Sequence, residues 1–123
     1  MAFVVIIDDD GNVRYGLQNL LESAGHHAVG FESAEDFLGS GLREAVDCAV
    51  LDINMPGMSG LDLQQVLAER HPGMPVIFVT AHSDQESKTR ALSGGAFAFF
   101  GKPVQEDDLL QSIAAAVKGA QRG

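Results

Sequence analysis

The sequence predicts an α/β domain built on an open, doubly wound parallel sheet. Five short apolar runs recur along the chain: Phe3–Ile7, Ala28–Phe31, Cys48–Leu51, Val76–Val79 and Phe97–Phe100. Segments with helical spacing separate them. The runs are almost wholly apolar rather than alternating, which is how strands read when helices cover both faces of a parallel sheet. Five strand–helix pairs in 123 residues, joined by right-handed crossovers, leave few other arrangements. In such sheets the binding site lies at the carboxyl ends of the strands, near the switch in strand order.

The first run leads into Asp8-Asp9-Asp10. Adjacent carboxylates repel, and a buried carboxylate resists ionising, so something must stabilise this cluster. Without a cation, its side chains are expected to spread or to be bridged by water. Val13, Leu17, Leu20, Leu21 and Ala24 then form a stripe at i, i+4, i+7 and i+8 and predict the first helix. Asp10 is expected to turn towards solvent or the start of that helix. The second run ends at Phe31-Glu32 with no comparable polar group. Ser33–Asp36, Ser59–Asp62 and Ser83–Glu86 each match the capping-box pattern and mark the starts of three further helices. The third run ends in Asp52 and the fourth in Thr80. The segment SDQESKTRALSGGA predicts a weakly amphipathic fourth helix with few apolar anchors, hence low local stability. The fifth run is followed by Lys102-Pro103, and Leu109, Leu110, Ile113, Ala114 and Val117 predict the last helix. Residues 1–119 read as one domain, and 120–123 as the start of a linker or a tail.

Composition bounds the function. Net charge is −9, from 17 acidic and 8 basic residues. Direct nucleic-acid binding needs phosphate neutralisation by Lys and Arg, and no basic stripe or zinc-finger spacing is present. Cys48 is the single cysteine, so an internal disulfide is ruled out. Inside DCAVLD it is expected to be a small buried hydrophobe. No apolar run approaches the roughly 18 residues of a membrane span, and the N-terminus lacks a signal-peptide pattern. The expectation is a cytoplasmic domain with no membrane attachment. His26-His27 read as ordinary surface histidines, and His71 as a complement to a helix dipole.

Four of the five strands deliver polar groups to one rim: acid from the first and the third, a hydroxyl from the fourth and an ammonium from the fifth. Clustered carboxylates suit Mg²⁺ (or Mn²⁺), a hard cation that takes oxygen ligands. A cation and a lysine together cradle a phosphoryl group. A carboxylate facing them has the chemistry of the nucleophile in aspartyl-phosphate formation. Any one of these residues alone reads equally well as a helix cap or a loop residue; their order on successive strands is what carries the signal.

The motifs IIDDDGNVR, LDINMPGMSG, VIFVTAH and FFGKP, in that order, resemble a bacterial two-component response-regulator receiver domain over essentially the whole chain. SAEDFL and PGMSGLDLQ resemble its FixJ-like branch, whose members usually carry a C-terminal helix-turn-helix. The resemblance implies a flavodoxin-like (βα)₅ fold with strand order 2-1-3-4-5. It implies Asp52 as the phosphorylated residue. Asp9 and Asp52 would ligate the cation, with the carbonyl of Asn54, and Asp8 would act mainly through a metal-bound water. Lys102 and Thr80 would bind the phosphoryl group, and Phe99 would be the switch aromatic. Lys102-Pro103 would be a cis peptide, and His82 would modulate dephosphorylation. Gly11, Ala98 and Gly101 depart from the family pattern without removing a chemical group from the pocket.

The implied function is phosphoryl transfer from a sensor histidine kinase to Asp52, switching an α4-β5-α5 face. Phosphorylation-dependent homodimerisation and DNA control through a C-terminal output domain are implied with it. A stand-alone receiver acting by docking is the alternative. Two other classes fit poorly. A phosphohydrolase of aspartyl-phosphate type would place an acidic residue two positions after the nucleophile, where Asn54 stands. A flavin- or dinucleotide-binding module would carry G-x-G-x-x-G in the first strand–helix turn, where DDDGNVR would repel a pyrophosphate.

Overall fold

The structure, a computed structural model, describes residues 2–122. Five strands, β1 (Phe3–Ile7), β2 (His27–Phe31), β3 (Cys48–Leu51), β4 (Val76–Thr80) and β5 (Ala98–Gly101), alternate with five helices. The helices are α1 (Gly11–Ser23), α2 (Ala34–Gly39), α3 (Gly60–Arg70), α4 (Gln85–Ser93) and α5 (Glu106–Arg122), with a single 3-10 turn at Arg43–Ala45 before β3. All strands pair in parallel, in the order β2-β1-β3-β4-β5. The reversal of order lies between β1 and β3, where the two acidic strand ends meet.

The alternation of side chains along each strand divides the core in two. Val5, Ile7, Ala49, Leu51 and Phe78 face one side, where Phe37 of α2, Leu63 and Leu67 of α3, and Ala91 of α4 pack on them. Val4, Ile6, Cys48, Val50, Ile77 and Val79 face the other, under Leu17 and Leu21 of α1 and Leu109 and Ile113 of α5. This two-sided cover is why the strands read as continuous apolar runs. Each fully buried aliphatic or aromatic side chain contributes about 1.5–3 kcal/mol. Cys48 is buried and unpaired, and burial pushes its thiol up to about 12, so it behaves as the inert small hydrophobe expected.

Register places the functional ends level. Ile7 pairs with Leu51 and with Phe31, and the ladder continues one residue further. The Asp8 amide donates to the Phe31 carbonyl at 3.1 Å, and the Asp52 amide to the Ile7 carbonyl at 3.0 Å. Both acidic residues therefore leave the sheet with their backbones fixed. On the other side, Thr80 pairs with Gly101, and the Lys102 amide donates to the Thr80 carbonyl at 2.9 Å.

Some boundaries differ from the sequence reading. β2 begins one residue early, at His27, because His27 pairs with Phe3 and their rings meet edge-on at 5.0 Å. β5 is shifted by one residue, so Phe97 lies outside it and is 47% exposed. Ser33 caps α2, and Ser59 with Asp62 forms a complete capping box on α3. α4 is capped by Asp84 instead of Ser83: its carboxylate accepts from the Ser87 amide. A neighbouring, equally competent cap shifts the helix start by one residue. Asp10 is the N-cap of α1, accepting from the amides of Asn12 and Val13. α5 runs on to Arg122, through the point where the sequence places the start of a tail; residue 123 of that tail lies outside the described residues. Among the described residues, no helix is long and apolar enough to cross a membrane.

Candidate functional site

The strand ends bring the carboxylates of Asp8, Asp9 and Asp52 together, with one ligand atom of each within 4.8 Å of the others. Asp8 and Asp52 are nearly enclosed, at 2% and 7% exposure, whereas Asp9 is exposed. The Lys102 ammonium reaches across from beyond β5 to the Asp8 carboxylate at 2.9 Å and to Asp52 Oδ2 at 3.3 Å. Asp8 and Asp52 are therefore neither spread nor in need of a water bridge, contrary to the expectation from repulsion alone: a cationic side chain holds them together.

One lysine does not balance this cluster. Burial raises the Asp8 carboxyl above the usual aspartate value, outweighing its hydrogen bonds from the Asp10 amide and Lys102. Burial acts to lower Lys102, but its hydrogen bond to Asp8 and the charges of Asp52 and Asp8 prevail and raise it. A buried carboxyl that is hard to ionise beside two further carboxylates is a site short of positive charge. Its donors are all oxygen, which matches a hard divalent cation. The residues present fit such an ion.

Local backbone fixes the Asp52 side chain. Asp52 Oδ1 accepts from the Ile53 amide at 2.8 Å, leaving Oδ2 towards Lys102. Behind it, the first turn of α3 rests directly on the Asp52 carbonyl at Gly60, where a Cβ would have no room. The Gly60 amide donates to the Ile53 carbonyl at 2.8 Å. Asn54 follows in the loop to α3 and is exposed.

Thr80 is fully buried at the end of β4, and its hydroxyl oxygen accepts from the His82 amide at 3.0 Å. The hydroxyl proton remains available to another acceptor. The His82 side chain is exposed, so only its backbone takes part in this contact. Phe99 pairs in register with Phe78, and the ring centroids lie 6.2 Å apart on the α4 side of the sheet. The Lys102-Pro103 peptide is cis. His26 Nδ1 accepts from the Ala2 amide at 3.3 Å, while His27 packs on Phe3, so the two histidines have separate structural partners. His71 is the C-cap residue of α3.

Three contacts around the site were not visible as motifs. Arg14 Nη1 donates to the Asp8 carbonyl at 2.8 Å. Glu35 on α2 accepts from the Met58 amide at 2.9 Å, bracing the loop that begins at Asn54. Gln64 on α3 is buried and donates to the Ala91 carbonyl of α4 at 2.7 Å. Each joins a side chain to a distant backbone atom, which leaves no spacing signal in a single sequence.

Comparison with known proteins accords with this geometry. The family model for the response regulator receiver domain matches residues 4–114. Nodulation protein W of Bradyrhizobium diazoefficiens is 40% identical over 117 residues, covering 95% of this chain and 52% of that protein. Transcriptional regulatory protein TdiR of Thauera aromatica is 41% identical over 114 residues, covering 93% of this chain and 50% of that protein. The crystal structure of a response regulator receiver domain protein from Clostridium thermocellum matches with a TM-score of 0.91 at 29% identity, covering 98% of each chain. The chain spans about half the length of the curated relatives it matches. Fold, strand order and matched sequence agree: the chain belongs to the response regulator receiver domain family.

Proposed function

We propose that the chain is the phosphoacceptor domain of a cytoplasmic two-component response regulator, with Asp52 as the residue that receives the phosphoryl group from a sensor histidine kinase. The observation that carries this reading is the position of Asp52: nearly enclosed, with one oxygen oriented by the Ile53 amide and the other 3.3 Å from the Lys102 ammonium. A carboxylate oxygen of Asp52 forms the bond to phosphorus as the bond to the donor imidazole nitrogen breaks. The bonding pair leaves with the imidazole. Lys102 offsets charge on the transferred oxygens, and the Thr80 hydroxyl donates to one of them.

The residues that would hold Mg²⁺ (or Mn²⁺) are Asp9 and Asp52, with Asp8 through a bound water and Asn54 through its carbonyl. When bound, the cation neutralises carboxylate repulsion and the charge on the phosphoryl oxygens. Asn54 has no acidic proton to donate, which disfavours turnover of phosphate esters. The domain catalyses only its own phosphorylation and dephosphorylation, and His82 beside Thr80 modulates the latter.

Phosphorylation adds charge at the rim of β3. Thr80 then leaves the His82 amide for the phosphoryl oxygen, and Phe99 moves into the space vacated, biasing the α4-β5-α5 face between two packings. That face serves a phosphorylation-dependent homodimer. An attached DNA-binding domain is supported by the twofold length of relatives such as TdiR and by the resemblance to the FixJ-like branch. Residues 1–119 form the receiver in this reading, with the following residues leading into that output domain. The test is exposure of the chain to acetyl phosphate with Mg²⁺, read by intact mass. Wild type is expected to gain one alkali-labile, hydroxylamine-labile phosphoryl group, and Asp52→Asn none. Equal phosphorylation of Asp52→Asn at the pocket would sink the assignment.

A further inference from the structure

Arg14 has no part in the chemistry above, yet its placement is tightly specified. It sits in the first turns of α1, half-buried, and its stem crosses β2 at Gly30. A Cβ on Gly30 would lie 2.7 Å from Arg14 Cγ and 2.8 Å from Cδ, well inside the 3.5–4.0 Å of a normal carbon contact. Gly30 has ordinary strand geometry, in register with Ile6, so the small residue is needed there for space and not for backbone conformation. The stem laid over Gly30 delivers Nη1 to the Asp8 carbonyl at 2.8 Å.

That carbonyl belongs to the peptide unit joining Asp8 to Asp9. Two other restraints flank it: the Asp8 amide donates to the Phe31 carbonyl, and the Asp10 amide, in the peptide that follows Asp9, donates to Asp8 Oδ1 at 2.9 Å. The Asp9 carboxylate is exposed and has no hydrogen bond of its own among the described residues. Its aim is set by the two peptides that flank it: the Asp10 amide ties the one that follows Asp9, and Arg14 ties the one that precedes it. We propose that Arg14, with Gly30 as the clearance for its stem, is a positioning residue for the Asp8–Asp9 peptide and thereby for divalent-cation binding. This rests on the cation-site reading given above.

Electrostatics supplies a sign that separates positioning from charge. Removing a guanidinium near a cation site relieves repulsion and should tighten cation binding. Removing a positioning contact should weaken it, by about 10-fold where outer contacts hold a ligand. The experiment is Mg²⁺ titration of the metal-free chain by calorimetry, with circular dichroism as the check on folding. Arg14→Met is expected to bind Mg²⁺ about 10-fold more weakly, and Arg14→Lys, which retains a donor, to recover part of that loss.

Gly30→Ala displaces the stem and should weaken binding alone, but add nothing in an Arg14→Ala background. Should Arg14→Met fail to fold, this glycine pair carries the test. Wild type that binds Mg²⁺, with Arg14→Met and Gly30→Ala binding equally or more tightly, overturns the proposal and leaves the cation site standing. Wild type that takes up no Mg²⁺ overturns the cation site, and the proposal with it.

Discussion

α3 and α4 pack on the same face of the sheet, and they are built very differently. α3 buries Gly60, Leu61, Leu63, Gln64 and Leu67 along its 11 residues, and begins in a complete capping box. α4 buries only Ala91 of its nine, and leaves Leu92 45% exposed. Its main polar tie to the body is the Gln64 amide on the Ala91 carbonyl. The two helices also begin at different places relative to the site. α3 starts against the Asp52 backbone at Gly60, whereas α4 starts at Gln85, beyond the loop that follows Thr80. The floor under the proposed phosphoacceptor is therefore rigid, and the element beyond the hydroxyl is loosely attached. A small change at Thr80 is most readily expressed in the region with least to lose by moving.

The contrast can be broken from either side. The largest effect is expected in α3: Leu67→Ala, at a site with essentially no exposure, should cost about 2–5 kcal/mol in urea unfolding. Gln64→Ala removes the side-chain hydrogen bond to the Ala91 carbonyl, which keeps the Ala96 amide as a donor, and should cost about 0.5–1.5 kcal/mol. More tellingly, amide exchange should accelerate across Gln85–Ser93 and much less across Gly60–Arg70. Equal acceleration in both helices would mean that Gln64 supports α3 packing and not the tie to α4.

The smallest effect is a pH dependence confined to α4. Hydrogen bonds from the Ser87 amide and hydroxyl hold the Asp84 carboxyl below the usual aspartate value. A depressed pKa in the folded state means that the cap is at full strength above the ordinary aspartate value of about 3.9. Its contribution is lost as pH falls through the folded value. Amides of α4 should lose protection below about pH 4 in wild type. In Asp84→Asn, whose cap does not titrate, this component should vanish. Persistence of the same acid step in Asp84→Asn would place its origin elsewhere.

The unequal legibility of the sequence has the same physical root. Strands covered on both faces announce themselves as apolar runs, so all five were located to within a residue, and their polar ends with them. The boundaries moved where tertiary pairing decided them: His27 was drawn into β2 by Phe3, and Gly101 into β5 by Thr80. Ser83 and Asp84 are both competent caps, and only the folded chain selects between them. Asp10 turns to the start of α1, one of its two expected directions, and its position before an apolar-periodic stretch is the N-cap signal that selects it. The ties made by Arg14, Glu35 and Gln64 were illegible because they link side chains to backbone atoms 6, 23 and 27 residues away. The sequence reading assigns Lys102 to phosphoryl binding; that it bridges Asp8 and Asp52 is visible only in the folded chain.

The most direct measurement is peptide-resolved hydrogen–deuterium exchange with acetyl phosphate and Mg²⁺, on wild type and Asp52→Asn in parallel. The expected result is altered exchange across Gln85–Gly101 in wild type alone, with Gly60–Arg70 essentially unchanged. No change in α4 and β5 of phosphorylated wild type would contradict the account, as would the same change in Asp52→Asn.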